Sequence, residues 1–221
     1  MEEEAQTAHP LGKLIASVAD GQFVPVDGGW QRVPPWRPHL EAIVSFTGHA
    51  VLALAPHTSD DLLVKLGVDG FGGAHDPRLI AALAGPGGWI DSLDVLLAGR
   101  GIGGPTVAPR LVNRPDLAEL PRAHFAAEIR DNLKILGYPD RDRSALVTLS
   151  HGVAGLLELS FEIEPDHRGG GGTALIEDAM SVVPSRQLVV SAVAPGNATS
   201  LRALLSAGFT PLGSMQLFRR N

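Results

Sequence analysis

Four consecutive glycines at positions 169–172 are the part of the chain whose residue types point most directly to chemistry. Glycine lacks a Cβ, so a ligand can approach its backbone closely, and it tolerates positive φ. Apolar residues at helical spacing follow the glycines until Pro184, which indicates a turn that leads into a helix. The first N–H groups of a helix and the positive end of its dipole bind anions such as phosphate or pyrophosphate. On local pattern alone, a flexible connector remains the alternative.

Strand patterns lie on both sides of this turn. Residues 156–163 alternate, with Leu157, Leu159, Phe161 and Ile163 on one side and Glu158, Ser160, Glu162 and Glu164 on the other. A second apolar run at 188–194 precedes Pro195-Gly196-Asn197 and a short helix that ends at Gly208. Strand, turn, helix, strand and helix form a βαβα unit, which predicts a parallel strand pair with a right-handed crossover.

Residues 156–221 resemble the acyl-CoA-binding half of the GCN5-related N-acetyltransferases (GNATs). The pyrophosphate loop of that family reads Arg/Gln-x-x-Gly-x-Gly/Ala, and Arg168 to Thr173 match it except for threonine at the last place. A second block of the family fits Asn197, Ser200, Gly208 and Phe209. The resemblance implies an α/β (α+β) fold, with a mixed, mostly antiparallel sheet, a central splayed parallel strand pair and helices on both faces.

The resemblance also implies an activity, the transfer of an acetyl group from acetyl-CoA (coenzyme A) to a primary amine of unknown identity on a small molecule or peptide. The pantetheine arm would lie where the strands at 161–163 and 190–193 splay, with the thioester near a backbone N–H of the first strand. The residues expected to bind the cofactor are Phe161, Ile163, Arg168, Gly169, Gly170, Gly171, Gly172, Thr173, Asn197 and Ser200.

The attacking amine must be neutral, so a general base or a water chain is expected. Glu158 and Glu162 are the candidates, although carboxylates on such a strand also simply face solvent or pair with arginines. His49, His57, His75 and His151 are weaker candidates, and no histidine pair has metal-ligand spacing, so no metal is predicted.

Many GNATs carry a proton-donating tyrosine seven residues after the asparagine, and Leu204 occupies that position here. A catalytically silent acyl-CoA-binding or regulatory protein on the same fold is therefore the alternative function. A protein that binds nucleotide phosphates is a third hypothesis, disfavoured because no Gly-Lys-Ser/Thr follows the loop.

The remaining chain predicts an N-terminal portion at 1–140 that forms the acceptor site, and an acyl-CoA-binding core at 141–221. Helices are predicted near 58–66, 76–84 and 122–136, and strands at 42–46, 50–55 and 94–98. Strand, two helices and strand is the order that opens a GNAT fold, where the two helices cover the acceptor site.

Composition limits the partners and the location. The 221 residues carry a net charge of −6, contain no cysteine and include no apolar run of membrane-spanning length. The absence of cysteine excludes disulfides, thiolate catalysis and cysteine-bound metal, and with an acidic N-terminus it predicts a cytoplasmic protein. The acidic balance argues against nucleic acid as the main partner. The pattern predicts no membrane partner, and a homodimer is left open.

Overall fold

The computed structural model describes residues 9–104, 110–163 and 171–221. The described helices are α1 (Pro10–Ala19), α2 (Asp60–Lys65), α3 (Pro77–Ala84), α4 (Pro121–Ile129), α5 (Gly171–Val182) and α6 (Ala198–Ser206). The described strands are β1 (Trp30–Val33), β2 (Glu41–Phe46), β3 (His49–Ala53), β4 (Trp89–Ile90), β5 (Asp94–Arg100), β6 (Val112–Asn113), β7 (Asp131–Gly137), β8 (Leu146–His151), β9 (Leu157–Glu162), β10 (Leu188–Val193) and β11 (Thr210–Arg219).

The chain divides into two compact units. The first unit comprises Met1–Leu93 and Gly213–Asn221, and the second comprises Asp94–Leu212. In the first unit, β1 runs parallel to β3, β3 and β2 form an antiparallel hairpin, and β11 pairs antiparallel with both β2 and β4. Buried apolar residues of β2, β3, α2 and α3 form its core. Ser59 and Asp76 cap α2 and α3 with their side-chain oxygens, as their positions in the sequence predict.

The second unit contains the glycine turn and its flanking strands. Its strands follow the order β5-β10-β9-β8-β7-β6, and every neighbouring pair is antiparallel except β9 with β10. Leu159 of β9 belongs to the same apolar core as residues of α5 and α6, whereas Ala123 of α4 packs with Ile135 and Leu146 in a separate cluster. Successive residues of a strand point to opposite faces, so α5 and α6 cover one face and α4 covers the other. The expected mixed, mostly antiparallel sheet with a central parallel pair is therefore present, with helices on both faces.

The helix predicted over 122–136 is wrong in its second half. The helix α4 ends at Ile129, Arg130 is extended, and Asn132 takes a positive φ of 54°. The next residues form β7, which pairs with β8 from Lys134 to Gly137. Three apolar residues spaced by four suggested one long helix, but pairing with β8 provides the backbone hydrogen bonds of this segment instead.

The boundary between the units differs from the predicted division at residue 140. The strand β5 pairs with β10 over six residue pairs, from Leu188 with Arg100 to Val193 with Val95. The C-terminal strand instead pairs with β2 from Ser214 to Phe218. These pairings link residues far apart in sequence, so a linear division of the chain cannot describe them.

The strand–two helices–strand order also occurs within the second unit. There β6 is followed by a 3-10 turn at Pro115–Leu117, then by α4 and by β7. The strands β6 and β7 pair directly, and α4 packs on the same unit's sheet. The predicted segment at 42–98 has its first strands in one unit and β5 in the other, so the 112–137 segment fits the pattern better.

Candidate functional site

The parallel strands β9 and β10 separate after a short paired stretch. Only Leu157 with Val189 and Glu158 with Val190 are paired, although each strand has six residues. Beyond Glu158, no residue of β9 pairs with β10, while pairing with β8 continues to Glu162. The edge of β9 that faces β10 is therefore open toward the carboxyl ends of both strands, where open sheets usually bind ligands.

The helix α5 begins at Gly171 near this open edge, directly after the gap at 164–170 in the described residues. A Cβ added to Gly171 would meet no atom within 4 Å among the described residues outside its own turn, so their packing does not require glycine there. A Cβ on Gly172 would lie 3.2 Å from the Cβ of Ala203, so Gly172 permits close packing of α5 on α6. Thr173 is half-buried in the same turn. Arg168, Gly169 and Gly170 lie outside the described residues.

The start of α6 lies after the carboxyl end of β10. Asn197 is its N-cap, and its Oδ1 accepts a hydrogen bond of 3.2 Å from the backbone N–H of Ser200. The spacing of these two residues is thus explained by helix capping, which needs no ligand. Asn197 is exposed, and its amide nitrogen has no hydrogen-bond partner among the described residues, so it can donate to a bound molecule.

Phe161 and Ile163 contribute their side chains to the core and their backbone to the open edge. Both side chains are partly buried against the apolar cluster of the second unit. The ring of Phe161 comes within 3.6 Å of the position that a Cβ on Gly172 would occupy, so it supports the first turn of α5. Any contact of these residues with an extended ligand would run through their main-chain groups.

Glu158 is buried in an ion pair on the face of the sheet that α4 covers. Its Oε1 lies 2.6 Å from Nη2 of Arg130, and both side chains are 4% exposed. Its Oε2 accepts a hydrogen bond of 3.0 Å from the backbone N–H of Val153 in the turn between β8 and β9. Both carboxylate oxygens therefore already have donors.

Glu162 is half-buried at the far end of β9. Its Oε2 accepts a hydrogen bond of 3.0 Å from the backbone N–H of Arg122 in the first turn of α4. Leu120, the N-cap residue of α4, has no side chain able to cap the helix, so Glu162 supplies the missing acceptor. Its Oε1 has no hydrogen-bond partner among the described residues.

The two glutamates thus hold the two ends of α4. A helix of nine residues is about 13 Å long, and four residues of a strand also span about 13 Å. The helix runs antiparallel to β9, with its N-terminus at Glu162 and Arg130, its C-cap residue, at Glu158. The alternation that suggested a catalytic pair therefore has a structural explanation for both residues.

Two further side chains of the second unit that can carry a proton, Tyr138 and His151, make hydrogen bonds within the unit, and the position of the family's tyrosine holds a leucine. Leu204, in place of the family's tyrosine, is 1% exposed within the apolar core. Tyr138, the only tyrosine, donates a 3.3 Å hydrogen bond to Asp178, and burial raises the pKa of its hydroxyl, with the charge of Asp178 adding to the effect. His151 is exposed at the end of β8 beside Asn132.

The other candidate histidines lie in the first unit. His49 contacts Asp27 at 2.9 Å, and this hydrogen bond lowers the pKa of the Asp27 carboxyl. His57 is exposed, and burial lowers the pKa of His75. Within 9–104, 110–163 and 171–221 no group of three histidine, aspartate or glutamate side chains could hold a metal ion, and no helix has the length and apolar character to span a membrane.

Arg130 is the residue of this region that the sequence did not identify. It is 6% exposed, and besides pairing with Glu158 it donates a 3.1 Å hydrogen bond from Nη1 to Oγ of Ser160. Ser160 in turn shares a 2.6 Å hydrogen bond with Thr148 on β8. The alternating Glu158, Ser160 and Glu162 indicated a polar strand face, but nothing in the sequence showed which arginine would cover it.

Of three solved structures similar to this chain, two carry names that agree with the family the sequence resembles, and the third has no known function. One, from Novosphingobium aromaticivorans, is assigned to the acetyltransferases of the GNAT family, with a TM-score of 0.41, 19% identity, and coverage of 62% of this chain and 69% of that one. A GNAT-family acetyltransferase from Colwellia psychrerythraea has a TM-score of 0.36 and 12% identity over 60% of this chain and 57% of that one. A functionally unknown conserved protein from Staphylococcus epidermidis has a TM-score of 0.40 and 13% identity over 66% and 68%.

All three TM-scores lie below 0.5 and all three identities below 20%, so these structures do not establish a family for this chain. No family model matches the chain, and no curated protein matches it.

Proposed function

We propose that the second unit binds acyl-CoA and that the protein transfers the acyl group, with acetyl as the simplest case, to a primary amine on a small molecule or peptide. The observation that supports this most directly is the splay of β9 and β10 beside the glycine start of α5. The start of α5 offers backbone N–H groups for phosphates, and the splay offers an open edge of β9 for a peptide-like arm.

The described residues fit such a ligand in two respects. The space beside Gly171 is open, so phosphate oxygens could approach the backbone N–H groups of the first turn of α5. The main chain of β9 beyond Glu158 has no strand partner on the side of β10, and the two amides of a pantetheine arm could pair with it. Asn197, between the end of β10 and the start of α6, can add a hydrogen-bond donor from its side-chain amide.

The reaction requires the amine nitrogen to attack the thioester carbonyl, the CoA thiolate to leave, and the amine to give up a proton. A carboxylate that takes this proton needs a free oxygen close to the acyl carbon. Glu158 lies where the strands split, but both of its oxygens are occupied. Glu162 has an oxygen available, but it lies about 13 Å further along the strand. About 13 Å is more than one bridging water can span. We therefore propose that Glu162 takes the proton through a chain of several waters, with Glu158 in a supporting position.

The ligand proposal is tested by substituting Gly171 with leucine. The Cβ of the new side chain would meet no atom of the described residues within 4 Å, so we expect folding to be preserved, while the bulk of the leucine at the start of α5 should prevent CoA binding. Val182→Leu, at the far end of the same helix and exposed, is the matched control and should bind as the parent does. A ligand at a hundred times its Kd stabilises a protein by about 2.7 kcal/mol, so thermal shift and calorimetry can both follow binding.

The outcome of this test decides the site. A parent protein that shows no shift with CoA or acetyl-CoA contradicts the proposed function. Equal CoA affinity in Gly171→Leu and the parent contradicts the location of the site at the start of α5.

A catalytically silent acyl-CoA-binding protein is the second candidate function. It is favoured by the engagement of both Glu158 oxygens and by the burial of Leu204, which leave the split without an evident proton carrier. A panel of amines with thiol release as the readout separates the two functions. Release with any amine that disappears in Gly171→Leu supports the enzyme, whereas CoA binding without release across the panel supports the silent protein.

A further inference from the structure

We propose that Arg130 and Glu158 act as a positioning pair that fixes where β9 separates from β10, and thereby how far the arm of acyl-CoA inserts between the strands. This inference rests on the proposed function and adds a residue, Arg130, that lies outside the glycine turn. We call Arg130, Glu158 and Ser160 together the clamp.

The clamp is located at the split itself. Glu158 is the last residue of β9 that pairs with β10, and its partner is Val190. The side chain of Glu158 points to the α4 face and meets Arg130 at 2.6 Å. Glu158 therefore links the end of the stretch paired with β10 to the C-terminal end of α4.

Arg130 also holds β9 beyond the split. While Nη2 contacts Glu158, Nη1 donates to Oγ of Ser160, two residues further along the open part of the strand. Ser160 is anchored in addition by Thr148 on β8, at 2.6 Å. The guanidinium thus bridges the last residue that pairs with β10 and a residue that pairs only with β8, and the contact between Ser160 and Thr148 holds the open stretch toward β8.

The surrounding backbone is shaped to receive the carboxylate. The Oε2 of Glu158 accepts the N–H of Val153 at 3.0 Å, and a Cβ on Gly152 would lie 1.8 Å from that oxygen. Only a residue without a side chain at 152 allows this approach. The turn between β8 and β9 therefore holds one carboxylate oxygen of Glu158, while Arg130 holds the other.

Stability alone is a weak reason for such an arrangement. Replacement of a buried ion pair by apolar residues of similar volume is often neutral or stabilising, because the charges lose their hydration on burial. A rigid planar guanidinium that contacts Glu158 and Ser160 at the same time instead gives geometric precision, which lysine cannot reproduce. Precision of strand placement matters where an extended ligand must lie between two strands.

The test compares CoA with 3′-phosphoadenosine 5′-diphosphate, which has the phosphates but lacks the arm. The double variant Arg130→Met/Glu158→Gln removes the charges, and glutamine keeps an acceptor for the N–H of Val153. We expect this variant to bind the nucleotide within about twofold of the parent and CoA about tenfold more weakly. A tenfold loss corresponds to about 1.4 kcal/mol, which is about the worth of one hydrogen bond between the arm and β9. Amide hydrogen exchange of Leu159 and Phe161 should also become faster.

Each outcome bears on the inference. CoA affinity equal to that of the parent in a folded double variant overturns it, and so does an equal loss of affinity for both ligands, which would indicate general damage. Arg130→Lys, which keeps the charge but not the fork, should fall between parent and double variant. If the double variant does not fold, Ser160→Ala cuts the link beyond the split and must selectively weaken CoA. A parent that binds the nucleotide as tightly as CoA overturns this inference alone, and a parent that binds neither overturns the proposed function as well.

Discussion

Gly152→Ala should destabilise the second unit strongly, because the added Cβ would collide with the carboxylate of Glu158. The added Cβ would lie 1.8 Å from Oε2 and 2.9 Å from Cδ of Glu158. Carbon and oxygen normally stay more than 3 Å apart, so the carboxylate must move by more than 1 Å. The carboxylate is the end of a flexible side chain, but it is buried and bonded at both oxygens, so any movement costs those bonds.

The size of the effect follows from what is left behind. Loss of one partner of a buried ion pair costs about 3–5 kcal/mol, because the other charge remains buried without compensation. The N–H of Val153 also loses its acceptor, which by itself costs about 1–3 kcal/mol. Because the two losses share one movement, they are not additive, and about 4 kcal/mol is expected for both. That is a large part of a typical stability of about 5–15 kcal/mol.

Urea unfolding followed by circular dichroism measures the effect. With an m-value of about 2 kcal/mol/M, a loss of 4 kcal/mol lowers the midpoint by about 2 M. Gly171→Ala is the matched control, because its Cβ meets nothing within 4 Å among the described residues and Gly171 is the first residue of α5. It should raise stability by about 0.4–1 kcal/mol through the unfolded chain. Equal stability of Gly152→Ala and the parent would refute the claim that the turn between β8 and β9 is shaped to receive the Glu158 carboxylate.

Three further predictions concern single residues. Ser150→Ala should leave the free energy of unfolding within about 1 kcal/mol of the parent, because the buried Oγ of Ser150 has no hydrogen-bond partner in the described part of the chain. Ser160→Ala should instead cost about 1–3 kcal/mol, because it leaves buried donors unsatisfied. Equal urea midpoints for the two variants would contradict this. Burial lowers the pKa of His75 below 6.5, so the unfolded chain takes up the proton first. Stability should be complete above about pH 6.5 and fall as the pH drops below it; His75→Phe should show a smaller difference in urea midpoint between pH 5.5 and 7.5, and an unchanged difference would exclude His75 as the cause. Leu204→Tyr should destabilise by about 1–3 kcal/mol, since the larger ring enters a packed core, and an unchanged melting temperature would show that the site can accommodate a tyrosine.

Local signals in the sequence determined much of the second unit. The alternation at 156–163, the glycines before a helical pattern and the stop at Pro184 predicted β9 and α5, and both are present. The run at 188–194 and the short helical pattern after Pro195-Gly196-Asn197 predicted β10 and α6 in the same way. Each of these signals is contained in a window of about ten residues, where strand and helix periods are distinct. The central parallel pair followed from the order of the elements.

Only the tertiary structure decided what the polar residues do. Glu158 and Glu162 both alternate with apolar residues along β9, so the sequence pattern does not distinguish them. In the structure, Glu158 is buried against Arg130, whereas Glu162 caps α4. The end of α4 at Ile129 depends on pairing with β8, and the position of β5 depends on pairing with a strand almost a hundred residues later. Such contacts are set by which surfaces meet when the elements pack. A residue's type and spacing define the chemistry it can perform, but its partners across the sheet determine whether that chemistry is available.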